Sequence, residues 1–121
     1  MGFIKTNLKD AYIFEPKVFG DHRGFFMETY NEKMFEEVGL SFNFIQDNHA
    51  MSAEAGTLRG LHFQLEPYAQ TKLVRVIRGA VYDVIVDIRE GSPTYGQWEG
   101  FILSEENKRQ LLVPQGFAHG Y

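Results

Sequence analysis

"VRVIRGAVYDVIVDI", residues 74–88, decides the fold. Apolar residues alternate with others on both sides of Arg78-Gly79-Ala80, which predicts two strands joined as a hairpin, with Val74, Val76, Tyr82, Val84 and Val86 available to a core. "LSEENKRQLLVP" (103–114) repeats the pattern, with a polar turn at 104–108 between two apolar runs. Further out, "AYIFEPKVF" (11–19), "GFFMETY" (24–30), "FNFIQDNHAMS" (42–52), "GTLRGLHFQ" (56–64), "YGQWEGFIL" (95–103) and "RQLLVPQGFAHGY" (109–121) read as further short strands. Their recurrence at roughly 8–12-residue spacing, punctuated by Gly, Pro and Asn, predicts an all-β antiparallel sandwich or barrel. One helix stands out at "NEKMFEEVGL" (31–40): Asn31 can cap it, Met34, Phe35 and Val38 form its apolar stripe, and Gly39 can end it.

Composition bounds the function. The chain has 121 residues, 44% of them hydrophobic and 15% aromatic, which suits one globular domain over residues 1–121. Sixteen acidic against twelve basic residues give a net charge of −4, which disfavours a nucleic-acid or anionic-membrane surface while leaving room for a local basic pocket. Cysteine is absent, which excludes disulfides and thiolate chemistry. The first residues, "MGFIKTNLKDAYIF", lack the apolar core of a signal peptide, and no apolar run approaches membrane-spanning length, so a cytoplasmic protein is expected.

"TLRGLHFQ" (57–64) raises the chemical question, because it sets Arg59 and His62 in a strand-like run, with Lys72 following in "QTKLVRVIRG". Strict alternation puts Leu58, Gly60 and His62 on one face and Arg59, Leu61 and Phe63 on the other. Leaving such a group buried without a partner costs roughly 1–3 kcal/mol, so each needs a partner or a cavity. Taken singly, a histidine in a strand is by default structural, Arg59 a surface charge, Asp21, Arg23 and Asp47 surface ion pairs, and Phe19, Phe25 and Phe26 core.

"VPQGFAHG" carries Pro114, Gly116 and His119 in an arrangement that resembles the second motif of the cupin superfamily. Where the first cupin motif has HxH and a glutamate, this chain has "HFQ" and Lys72; an ammonium in place of a carboxylate ligand repels a divalent metal, so a metal-free cupin is expected. "DHRGFFMETY", "FIQDNHAMS", "GTLRGLHFQ", "TKLVRVIRGAVYDVIVDIREGSPTYGQWEGFIL" and "LLVPQGFAHGY" together resemble one metal-free family over essentially the whole chain, the dTDP-4-dehydrorhamnose 3,5-epimerases. The chain departs from that pattern at His49 and Ala50 and in ending "HGY" where "HGF" is expected.

The resemblance implies a cupin-type jelly-roll barrel (double-stranded β-helix) and an isomerase that inverts the carbons on either side of a C4 ketone in a dTDP-sugar, with no cofactor. It implies His62 as general base and Lys72 as the cation facing the developing C4 oxyanion. By the same matching, Arg23 and Arg59 hold the diphosphate, Glu28, Gln46 and Asn48 contact the nucleotide, Phe19 and Phe26 stack on or wall in the thymine, and His119 lines the sugar site. It further implies a homodimer formed by strand exchange near the N-terminus. It places a tyrosine acid and an aspartate that orients the base downstream of "FAHG", so the chain is expected to be truncated, and weak or inactive alone. A 3-only or 5-only epimerase, a ketoisomerase and a non-catalytic nucleotide-sugar-binding module are the alternatives.

Overall fold

The computed structural model describes residues 2–121. In chain order its elements are β1 (Gly2–Lys5), β2 (Tyr12–Glu15), β3 (Val18–Asp21), β4 (Gly24–Met27), α1 (Glu32–Glu37), β5 (Lys72–Arg75), β6 (Ala80–Asp87), β7 (Trp98–Ser104), β8 (Gln110–Val113) and β9 (Phe117–Gly120). They fall into two compact units, one running to Pro16 and resuming over Leu58–Tyr121, the other Lys17–Thr57.

The first unit is a jelly-roll sandwich of two antiparallel sheets, ordered β1-β2-β8-β5 and β7-β6-β9. Ile13, Leu111 and Val113 of one sheet and Ile85, Leu103 and Phe117 of the other close the core between them. The hairpin expected at 74–88 is not formed: β5 pairs with β8, whereas β6 pairs with β7 and β9. The turn at Gly79 (φ +82°) instead carries the chain from one sheet to the other, and the 105–109 turn carries it back. A bond from the Glu105 amide to the Gly79 carbonyl (2.9 Å) ties the two crossings together. Alternation reveals strand, turn and strand, but a tight glycine turn serves a crossing between sheets as well as a hairpin.

The phase of β6 also differs from expectation. Val81, Asp83, Ile85 and Asp87 face inward, while Tyr82 is 53% exposed and Val84 and Val86 share its outward face. Two carboxylates can occupy the core face because both are partnered. Asp87 accepts from the Arg89 amide and guanidinium and from the hydroxyls of Ser92 and Thr94. Burial alone would raise its pKa; these donors outweigh burial and hold the carboxyl far below the usual range. Arg89 also reaches Asp10 (2.9 Å) and lies over the Phe117 ring, so "DIREGSPT" is a pinned turn.

In the second unit β3 and β4 pair in register, with Phe19 opposite Phe26. Asn31 caps α1 as expected, its side chain accepting from the Met34 amide, and Gly39 (φ +82°) follows the helix end. Residues 42–52 form no strand; Phe44 packs edge-on against Tyr30, which meets Phe35 in the same way. "AYIFEPKVF" is likewise two strands rather than one, interrupted at Pro16, which has no amide hydrogen for a ladder. Among the described residues no helix is long and apolar enough to cross a membrane.

Candidate functional site

One end of the sandwich gathers His62, Lys72, Asp83 and His119. Residues 59–62 extend the β7-β6-β9 sheet beyond β9: His62 and His119 exchange both backbone hydrogen bonds (3.0 Å each), and Arg59 and Tyr121 do the same (2.6 and 2.8 Å). Between these pairs Gly60 and Leu61 stand opposite Gly120 alone, which is a β-bulge. The extra residue resets the alternation, so the backbone register puts Arg59 and His62 on one face, not the opposite faces that strict alternation gave. Gly60 is required there: at φ +111° a Cβ would lie 2.7 Å from the His119 carbonyl oxygen.

His119 is 3% exposed and shares the inner face of β9 with the site, opposite Ile85 of β6. Its ring sits 6.5 Å from that of His62 and 5.8 Å from that of Tyr121. Asp83, fully buried two residues before Ile85, meets the His119 ring: Nε2 lies 2.9 Å from Oδ2 in a hydrogen bond and 2.8 Å from Oδ1, which is not aligned to accept. His62 is exposed, and among the described residues its ring has no hydrogen-bond partner.

Lys72 comes from the other sheet. It lies opposite Val113 of β8 and shares the inward face of β5 with Val74, which packs on the core. Half-buried, it loses water, which lowers its pKa below that of an ordinary lysine; the Asp83 charge partly offsets the effect. The expected base, the expected cation and His119 thus converge, and Arg59 joins them by register. Asp83 was missed, although an acid inside the apolar run "AVYDVIVDI" was a legible signal.

The remaining candidates lie in the Lys17–Thr57 unit and are exposed. Phe19 (54% exposed) and Phe26 (73%) form a cross-strand pair on the hairpin, the Phe19 ring beneath the Lys17 ammonium at 4.9 Å. Arg23, in the turn, is paired with Asp21, its Nε 3.1 Å from Oδ2. That pairing raises Arg23 and lowers Asp21 from their usual pKa values. Gln46 donates to the Asn48 side chain at 3.1 Å, and Glu28 follows β4.

A sequence model described as dTDP-4-dehydrorhamnose 3,5-epimerase matches residues 5–121. The Shigella flexneri protein of that name is 64% identical over 122 residues, covering 100% of this chain and 67% of its own length. Among solved structures, the Bacillus anthracis dTDP-4-dehydrorhamnose 3,5-epimerase with TDP and PPi bound superposes with a TM-score of 0.94 at 62% identity, over 98% of this chain and 67% of that one. The Legionella pneumophila dTDP-6-deoxy-D-glucose-3,5-epimerase in complex with dTDP-4-keto-L-rhamnose gives 0.92 at 53% identity, over 98% and 63%. The chain spans about two thirds of the length of the curated relatives it matches.

Proposed function

The chain belongs to the dTDP-4-dehydrorhamnose 3,5-epimerase family, and from that membership we propose that it inverts C3 and C5 of dTDP-4-dehydro-6-deoxy-D-glucose, giving dTDP-4-dehydro-L-rhamnose. The observation that carries this reading is the convergence of an open imidazole, His62, with an inward-facing lysine, Lys72. Hydrogens at C3 and C5 are acidic because each is next to the C4 ketone. His62 takes the proton, the electron pair moves onto O4, and the Lys72 ammonium stabilises the enolate more than the ketone. Return of a proton from a general acid or water on the opposite face of each carbon completes the inversion.

Arg59, brought to the His62 face by the bulge, is suited to a diphosphate oxygen. In the same proposal Arg23 exchanges Asp21 for the diphosphate, Phe19 and Phe26 take the flat thymine, and Glu28, Gln46 and Asn48 contact the nucleotide. The Bacillus anthracis structure, with TDP and PPi bound, supports this substrate class. A homodimer belongs to the reading as well. Tyr82, Trp98 and Ile102 are all more than half exposed on the outward face of β6 and β7, and a second copy would cover them.

The test is proton NMR of the chain with dTDP-4-dehydro-6-deoxy-D-glucose. Signals of the L-rhamno product are expected, with the H2–H3 coupling reporting C3 and the shifts of H5 and the C6 methyl reporting C5. Change at one carbon alone would replace the reading by a single-site epimerase, and neither inversion nor solvent exchange at either carbon would refute it.

A further inference from the structure

We propose that Asp83 is a positioning residue for this epimerisation: its carboxylate fixes His119 in the Nε2–H tautomer and presents a fixed negative charge to the Lys72 ammonium. The proposal rests on the function proposed above. Asp83 lies on the inner face of β6 with Val81 and Ile85, and it is fully buried. An ionised carboxylate in such a place needs donors. His119 supplies one through Nε2, 2.9 Å from Oδ2. A carboxylate accepts and does not donate, so the proton of a neutral His119 ring resides on Nε2 and the lone pair on Nδ1. Nδ1 has no partner among the described residues, which leaves it able to accept from a sugar hydroxyl. The unpaired Oδ1 is the acceptor left for a second donor.

Lys72, on the inward face of β5 with Val74, and Asp83, on the inward face of β6 with Ile85, come from facing sheets, and the Asp83 charge favours the ammonium. The other titratable or charged groups placed at this end of the sandwich are His62, His119, Arg59 and Tyr121; Asp87, the other inward-facing acid of β6, is committed to Arg89, Ser92 and Thr94. Burial works against the ammonium and Asp83 works for it. Without Asp83, Lys72 would lose its proton at lower pH, and the charge needed at O4 would be lost with it.

Asp83→Asn tests both parts, because it keeps the shape and removes the charge. Nitrogen-15 NMR of the wild-type histidine rings at a pH where they are neutral is expected to show His119 as Nε2–H, shifting toward Nδ1–H in the variant. In kinetics, kcat is expected to fall about 10–100-fold with KM changed by less than about twofold, and the alkaline limb of kcat/KM should move to lower pH. Asp83→Glu is expected to restore part of kcat and return the limb toward its wild-type position. An Nδ1–H tautomer in the wild type would overturn the proposal even if Asp83→Asn did not fold. A folded Asp83→Asn with wild-type kcat and an unmoved limb would overturn it too. If the wild type turns over no substrate, the function fails separately, and the tautomer together with direct NMR titration of Lys72 still decides what Asp83 does.

Discussion

Lys72 carries the central electrostatic claim at the scale of single residues. Its ammonium must be charged to stabilise O4, and burial lowers its pKa, so the sign follows: activity declines with rising pH at a point below the pKa of an ordinary lysine. A pH profile of kcat/KM for the wild type should show that early alkaline limb. Lys72→Met removes the charge; kcat/KM is expected to drop by about 10²–10³-fold, with dTDP binding, measured by calorimetry, largely kept. Full activity in Lys72→Met would remove the lysine from the mechanism. His62, Arg59, Lys72 and His119 entered as candidates through the motifs that carry the family resemblance; taken singly, their residue types left a structural reading open. Asp83 was not, since an alternating strand leaves its phase open: the valines and tyrosine of 74–88 looked inward-facing, and only the His119 contact shows why the acid lies inside.

At the scale of elements, the 59–62 bulge and the 87–94 turn are what the sequence hid. A bulge depends on two residues facing one across strands distant in sequence, which local periodicity does not report. Gly60→Ala places a methyl group against the His119 carbonyl at φ +111°, and a loss of about 1–3 kcal/mol in a denaturant melt is expected, with kcat lowered as His62 shifts. An unchanged melt and unchanged rate would contradict the close approach described here. The cap of α1 was legible because it is local, Asn31 bonding three residues ahead. Partner choice for β5 and β6 was not, because each strand pairs with residues well away from the turn that joins them.

For the whole molecule, an antiparallel sandwich or barrel followed from many short strands with glycine and proline between them, and the jelly-roll order from the family resemblance, although the individual pairings followed from neither. Stability in acid should reflect Asp87, whose folded pKa is lowered by its donors. A lowered carboxyl contributes stability above its unfolded pKa of about 4, and that contribution is lost as pH falls toward the folded value. Melting temperatures should therefore fall steeply below pH ~4. Asp87→Ala should be less stable at neutral pH by about 3–5 kcal/mol and show a flatter acid dependence. Sedimentation tests the outward face of β6 and β7: a dimer is expected, weakened by Ile102→Glu, whereas a monomeric wild type would leave that face to another role.

Proton abstraction by His62 is the claim on which the rest depends, and solvent exchange measures it most directly. The chain is incubated in D₂O with dTDP-4-dehydro-6-deoxy-D-glucose, and proton NMR follows the signals at C3 and C5, with His62→Asn in parallel. Deuterium should enter both carbons with the wild type and neither with His62→Asn, whether or not net inversion accumulates. Exchange at an equal rate in His62→Asn would show that another group is the base.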